Sequence, residues 1–184
     1  MKKTVKTIIS TVHIRPITAQ DLGRIVRWLG QKEISDSIIL AHKVTLQSQQ
    51  AWYKRYRNDP SKKVFAIEVN RRHVGNISLF NIDPTHKRAL LTIFIGDRSC
   101  RGKGIGSKAL RLLFDKAFMQ MKLVRVGLEV RSDNASAIRC YRNIGMTEEG
   151  ELRSYVQLAD GQHNMKLFSM LRKDYVKFFT TKRN

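Results

Sequence analysis

The spacing of hydrophobic residues switches between two periods along the chain. Alternation of hydrophobic and polar positions predicts β-strands, and hydrophobic residues three and four apart predict α-helices. The clearest helix is 107–121, and the most apolar strand is 88–95. The predicted order is strand 12–17, helices 18–29 and 45–58, strands 64–69, 74–82 and 88–95, helix 107–121, strand 123–130, helix 134–143, and strands 152–158 and 165–171. This order predicts an α/β protein with a mixed sheet and helices on its faces.

The composition fits this fold in one domain. The chain has 184 residues, of which 42% are hydrophobic, so it can bury a core without disulfides. Two cysteines exclude a disulfide scaffold, and the five histidines lack metal-ligand spacing, so we expect no metal. The start of the chain lacks an apolar leader, and no apolar stretch approaches the roughly 20 residues of a membrane helix. We therefore expect a cytoplasmic protein that does not bind membranes.

The charge is unusual for a protein of this size. Lysine and arginine number 35 against 15 aspartates and glutamates, a formal net charge of +20 that is spread along the chain. Such a field attracts polyanions such as nucleic acid, ribosomes, anionic cofactors and anionic lipid. It disfavours a cationic substrate unless a local acidic pocket overrides it.

A glycine-rich loop follows the most apolar strand and opens the strongest helix. The run Arg-Gly-Lys-Gly-Ile-Gly at 101–106 lets successive backbone N–H groups point into one concavity, and the helix dipole adds positive potential there. This arrangement indicates a phosphate site, most plausibly for a pyrophosphate. The spacing matches neither a Walker A loop nor a dinucleotide-binding fingerprint, which argues against nucleotide hydrolysis and NAD chemistry.

Two segments resemble the signatures of the GNAT N-acetyltransferase superfamily. Arg101-x-x-Gly104-x-Gly106 resembles its acetyl-CoA pyrophosphate loop, and 128–146 resembles its second signature, a strand followed by an asparagine and a short helix with a tyrosine. Residues 149–153 and 160–161 further resemble the branch that includes ribosomal-protein alanine N-acetyltransferases and spermidine acetyltransferases. The resemblance implies a mostly antiparallel sheet of about seven strands with about four helices, over residues 12–175, between an N-terminal tail at 1–11 and a basic C-terminal tail at 176–184.

The resemblance also implies which residues bind acetyl-CoA. The end of the central strand would pair its backbone with the pantetheine arm, the glycine loop would hold the pyrophosphate, and Asn134 would hydrogen-bond the pantetheine. Tyr141 would lie beside the thioester sulfur and donate a proton to the leaving thiolate. The strand and loop residues implied are Phe94, Ile95, Gly96, Arg101, Gly102, Lys103, Gly104, Ile105, Gly106 and Ser107.

A base is also required, because an ammonium with a pKa near 10 is mostly charged at pH 7 and an attacking amine must be neutral. Glu129 lies twelve residues before Tyr141, a spacing also found in the ribosomal-protein alanine acetyltransferases that the chain resembles. Glu68, in the strand at 64–69, is the alternative base. Either residue would act in direct transfer, without a metal or a covalent intermediate.

The sequence does not identify the acceptor amine. The net charge suits docking on an RNA-rich partner, so we expect the acceptor amine to be a protein N-terminus, such as that of a ribosomal protein. An aminosugar on a nucleotide carrier comes second and a polyamine third, since the field repels a polyamine. An RNA- or ribosome-binding protein without enzyme activity is the rival class. A monomer and a homodimer fit the sequence equally well.

Overall fold

Seven strands form one sheet in the computed structural model, which describes residues 11–40 and 42–180. The strands are β1 (Val12–Pro16), β2 (Lys63–Val69), β3 (Arg72–Asp83), β4 (Arg88–Ile95), β5 (Arg125–Arg131), β6 (Thr147–Leu158) and β7 (Gly161–Leu171). Their order across the sheet is β1-β2-β3-β4-β5-β7-β6, and β4 with β5 is the parallel pair among antiparallel neighbours. The predicted fold class and the mostly antiparallel seven-stranded sheet are confirmed.

Six α-helices accompany the sheet in the described residues, two more than the sequence pattern predicts. They are α1 (Leu22–Leu29), α2 (Lys32–Ser37), α3 (Leu46–Tyr56), α4 (Ile105–Phe114), α5 (Ala135–Asn143) and α6 (Arg172–Thr180). A π-helical segment, Asp115–Gln120, continues α4. The short α2 buries a single side chain, Ile34, so it leaves no periodic signal in the sequence.

The second unpredicted helix, α6, corrects the predicted C-terminal boundary. The expected tail at 176–184 is helical as far as Thr180. Helix α6 is held in place by Tyr175, which is buried and donates its hydroxyl to Asp115 at 2.5 Å, and by Phe179, which packs against the core. Residues 1–10 of the expected N-terminal tail and 181–184 lie outside the described residues.

The two faces of the sheet carry different helices. Phe65 and Ile67 of β2 belong to the main core with α4, whereas Ala66 between them packs with Leu22 and Ile25 of α1. Successive side chains of a strand point to opposite faces, so α4 and α1 cover opposite sides of the sheet. Helices on both faces leave the ends of the central strands as the accessible part of the sheet.

The central parallel pair of strands, β4 and β5, is short, and this leaves an opening in the sheet. Strands β4 and β5 are paired over three residue pairs, from Arg88 with Arg125 to Leu90 with Gly127. Beyond Leu90 the two strands diverge, although β4 continues to Ile95. The divergence leaves a gap in the middle of the sheet.

Candidate active site

A cavity of about 690 Å³ opens beside the diverging end of β4. Its walls are the end of β4, the glycine loop, the first turn of α4, one side of α5, helix α2 and Asp160 of the β6–β7 turn. A second, smaller cavity of about 50 Å³ lies between β4 and β5, lined among others by Leu91, Glu129 and Tyr141. Ten of the predicted binding residues line the larger cavity: Phe94, Ile95, Arg101, Gly102, Gly104, Ile105, Gly106, Ser107, Asn134 and Tyr141.

The glycine loop has the backbone shape of an anion cradle. Gly102 and Gly104 adopt φ angles of 69° and 72°, a left-handed conformation that glycine adopts at little cost. Gly104 is the N-cap of α4, so the first N–H groups of that helix and its positive dipole end face the loop. Lys103 is exposed and is not among the residues lining the cavity. The loop therefore offers mainly backbone donors to a ligand.

The Arg101 side chain contacts protein groups on both sides of the glycine loop. Its Nε donates to the carbonyl oxygen of Ile95 at 2.8 Å, and its Nη1 pairs with Glu33 Oε1 at 2.7 Å. Arg101 thus ties the loop to the end of β4 and to α2. Its charge is balanced by Glu33, and the predicted contact with a phosphate stays a prediction.

Two backbone groups predicted to pair with pantetheine are already engaged. The Ile95 carbonyl accepts from Arg101, and the Gly96 amide donates to the Val74 carbonyl at 2.9 Å. Gly96 is buried outside the cavity, and a Cβ there would lie 2.1 Å from the Trp28 ring. Gly96 therefore leaves the space that the Trp28 ring occupies, and its pairing with pantetheine stays a prediction.

Asn134 caps helix α5 and lines both cavities. Its side-chain oxygen accepts from the Ala137 amide at 3.1 Å, which leaves the side-chain nitrogen as a donor for a ligand. One and a half turns further along α5, Cys140 Sγ lies 3.2 Å from Ser107 Oγ on α4. This contact across the cavity, not anticipated from the sequence, joins the two helices that flank it.

Tyr141 is buried and lies where the two cavities meet. Its ring packs against Phe168 with 5.8 Å between centroids. Burial raises the pKa of the phenol above its usual value of 10, so the hydroxyl keeps its proton at neutral pH. Tyr141 can therefore supply a proton within the cavity.

The geometry separates the two candidate bases. Glu129 is exposed on β5 and lines the small cavity together with Tyr141. Glu68 lies on β2 and accepts from Arg15 Nε at 2.8 Å, and two strands of the sheet order separate it from β5. Glu68 is thus part of an ion pair beside β1, and Glu129 is the carboxylate near the predicted acid.

The cavity lining is acidic, although the protein is basic. Among the residues that the structure describes, five carboxylates line the two cavities, compared with three cationic side chains. The five are Glu33, Asp36, Glu129, Asp133 and Asp160, and the three are Arg101, Arg131 and Arg139. The carboxylates come from α2, β5, the turn before α5 and the β6–β7 turn, so their proximity is not apparent from their spacing in the sequence.

Comparison with known proteins identifies the class. Residues 11–147 match the Acetyltransferase (GNAT) domain family, and the chain belongs to this family. Within residues 11–40 and 42–180, no helix has the length and apolar character needed to cross a membrane. The same residues contain no group of three or more His, Cys, Asp or Glu side chains placed to hold a metal ion.

Individual relatives differ in the acceptor that their names give. The chain is 33% identical over 100 residues to the spermidine N(1)-acetyltransferase of Escherichia coli K12, covering 54% of this chain and 53% of the relative. It is 30% identical over 101 residues to the putative ribosomal N-acetyltransferase YdaF of Bacillus subtilis, covering 55% of each. The chain thus spans about half the length of these curated relatives.

The fold also matches solved structures. The crystal structure of spermidine N-acetyltransferase from Vibrio cholerae in complex with CoA and spermine superposes with a TM-score of 0.86. The match covers 90% of this chain and 98% of that chain at 21% sequence identity. At this identity the likeness shows a shared fold.

Proposed function

We propose that the protein is an acetyl-CoA-dependent N-acetyltransferase. The observation that carries the proposal is the cavity between the start of α4 and α5, which combines backbone anion donors at one end with the buried Tyr141 at the other. Gly102 and Gly104 have open space where a Cβ would stand, so a pyrophosphate can approach their backbone. Acetyl-CoA supplies the activated acetyl group.

The residues of this chain then have separate tasks. The loop and the N-terminus of α4 bind the pyrophosphate, and Asn134 donates to the pantetheine arm. Glu129, directly or through water, takes a proton from the acceptor ammonium, and the free amine attacks the thioester carbonyl carbon. The C–S bond breaks as the C–N bond forms, and Tyr141 protonates the sulfur that leaves. Burial of Tyr141 keeps this proton in place until the sulfur takes it.

We propose a linear polyamine as the acceptor. The sequence-based ranking put polyamines last because the net charge of +20 repels them, but the same reasoning made an exception for a local acidic pocket. The five carboxylates around the cavities fit that exception, although three of them, Glu33, Asp36 and Asp133, also form ion pairs with lysine or arginine side chains. Opposite charges lower the free energy of a polycation in the cavity relative to the surrounding surface. The similarity to spermidine acetyltransferases supports this choice.

A protein N-terminus is the second candidate. The similarity to a putative ribosomal N-acetyltransferase favours it, as does the net positive charge. An N-terminal amine presents a single positive charge and has a pKa near 8. It therefore depends less on the acidic lining and on a base than a polyamine does.

An acceptor panel tests the proposal. Acetyl-CoA would be mixed with spermidine, an alanine-terminated peptide or a nucleotide-linked aminosugar, and the products identified by mass spectrometry. We expect transfer to spermidine, with a KM that rises with ionic strength because salt screens the attraction. The double variant Asp36→Asn/Asp160→Asn should raise this KM, whereas the control Glu148→Gln, outside both cavities, should not. Transfer to the peptide alone would refute the polyamine assignment, and no acetyl transfer would refute the enzyme assignment.

A further inference from the structure

Six basic residues converge at the end of the sheet opposite the cavity. They form the distal basic patch, which consists of Lys87, Arg88, Lys122, Arg125, Arg172 and Lys173. Backbone hydrogen bonds join the three segments that carry them. The Lys87 carbonyl accepts from the amides of Val124 at 2.7 Å and Arg125 at 3.3 Å, and the Arg172 amide donates to the Val124 carbonyl at 3.0 Å. These hydrogen bonds hold the three segments of the patch next to one another.

The patch is separate from the proposed active site. Arg88 begins β4 and Ile95 ends it, a distance of about 23 Å at roughly 3.3 Å per residue. None of the six residues lines either cavity. A ligand at the patch therefore binds without occupying the cavities.

Four of the six cations have no ion-pair partner among the described residues. Arg88 lies 3.6 Å from Asp83, and Arg125 forms a two-pronged pair with Glu149. The other four side chains are exposed and, within the described part of the chain, carry their charge without such a pair. They are Lys87, Lys122, Arg172 and Lys173. Asp174, in the first turn of α6, is the acidic residue nearest to them in sequence. The patch therefore keeps a strong positive charge.

Local preferences disfavour the residues found at these four positions. Lys87 and Lys122 have φ angles of 51° and 58°, in the left-handed region that favours glycine and asparagine. Arg172 and Lys173 open α6, where the helix dipole disfavours positive charge. Residues that conflict with local preferences are expected where function requires them.

We infer that the distal basic patch binds the phosphate backbone of nucleic acid. Unpaired, exposed lysine and arginine side chains supply the sequence-independent part of nucleic-acid affinity, and the +20 charge of the whole chain steers a polyanion toward the protein. A membrane surface fits less well, because the exposed large hydrophobic residues within three positions of the patch in sequence are Met119, Val124 and Val176. Membrane-surface segments typically use Trp, Phe and Leu, and none of these is among them. The inference does not depend on the proposed acetyl transfer.

Fluorescence anisotropy with 20-base-pair RNA and DNA duplexes tests the inference on the full chain. The fourfold variant Lys87→Gln/Lys122→Gln/Arg172→Gln/Lys173→Gln should bind at least about tenfold more weakly. Its salt slope should fall by roughly one for each phosphate that the substituted side chains no longer neutralise. The control Lys43→Gln/Lys54→Gln/Arg55→Gln/Arg57→Gln removes equal charge from exposed positions on and beside α3 and should retain most of the affinity. Comparison of the RNA and DNA duplexes shows which of the two the patch prefers.

Three results would overturn the inference. One is equal weakening by the patch variant and the control variant, which would mean that net charge alone determines binding. Another is the absence of duplex binding by the unmodified protein at low salt. The third is binding of vesicles rich in anionic lipid without binding of either duplex. Circular dichroism should match the unmodified protein for both variants, which excludes unfolding as the cause.

Discussion

Replacing Tyr141 by phenylalanine isolates the proposed proton donor. The change keeps the ring that packs against Phe168 at 5.8 Å and removes the hydroxyl alone. No hydrogen bond from this hydroxyl occurs within the described residues, so its loss leaves no buried partner unpaired. Stability and acetyl-CoA affinity should therefore hardly change. We expect kcat to fall by roughly 10²–10⁴, the range for general acid catalysis, which corresponds to about 3–5 kcal/mol in the barrier.

Burial raises the pKa of Tyr141, and it also affects the pKa of the adjacent residue, Cys140. Burial raises the pKa of the Cys140 thiol, although its hydrogen bond with Ser107 opposes this. A thiolate formed in this cavity is destabilised in the same way, so the sulfur gains proton affinity together with the phenol.

Single-turnover kinetics provide the assay. Acetyl transfer would be followed with acetyl-CoA and enzyme in excess over spermidine, and affinity would be measured separately by calorimetry. Tyr155→Phe is the matched control, because Tyr155 is an exposed tyrosine on β6. A Tyr141→Phe rate near that of the unmodified protein, with unchanged folding, would refute the proton-donor role. A loss confined to acetyl-CoA affinity would instead indicate a binding role.

Three further predictions concern the base, the loop and the buried ion pair. Glu129→Gln should lower kcat/KM most at neutral pH and be partly rescued as pH rises toward the amine pKa near 10; an equal loss at every pH would rule Glu129 out as the base. Gly104→Glu should weaken acetyl-CoA binding at least tenfold in calorimetry, about 1.4 kcal/mol. The control Gly104→Ala has the same strained φ but adds no charge, so it should weaken binding less. Equal losses of affinity in the two variants would place the phosphate elsewhere. Burial alone would raise the pKa of Asp21, but Arg15 and Thr18 hold it at about 2, so this carboxylate stabilises the fold above about pH 4 and less as pH falls toward 2. Asp21→Asn should remove about 2 kcal/mol at pH 7 in urea titrations and flatten the acid dependence of stability; an unchanged acid dependence would contradict this.

Local signals in the sequence predicted the framework well. The helix predicted at 18–29 is present as α1, and just before it the Asp21 carboxylate accepts from the Thr18 amide at 2.7 Å. Strand β6 was predicted from 152 and begins at Thr147, because an edge strand is exposed and its first residues need no hydrophobic alternation. Hydrophobic periodicity thus identifies elements that bury one face, and it misses those that do not.

The parts of the candidate site that escaped prediction depend on contacts between distant segments. The Arg101 motif identified the loop, but the partner that occupies its side chain, Glu33, lies on a helix that the hydrophobic pattern does not mark. Gly96 could be read as a strand end, but not as the residue against which Trp28 packs. The acidic lining likewise assembles only when α2 and the β6–β7 turn meet the ends of the central strands.

The three-pair contact between β4 and β5 places two unpaired strand edges inside the sheet. An outer edge offers its hydrogen-bonding groups to any peptide that approaches, which is why exposed edges promote aggregation. An edge enclosed between helices is protected from pairing with another peptide, because the gap that leads to it is narrow. A third polypeptide strand would bring side chains on both faces, where α4 and α5 flank the cavity. A slender unbranched chain that carries amides, as pantetheine does, offers hydrogen-bonding groups without that bulk. If pantetheine binds there as proposed, the gap selects its ligand by the width of the backbone, before any side chain contacts it.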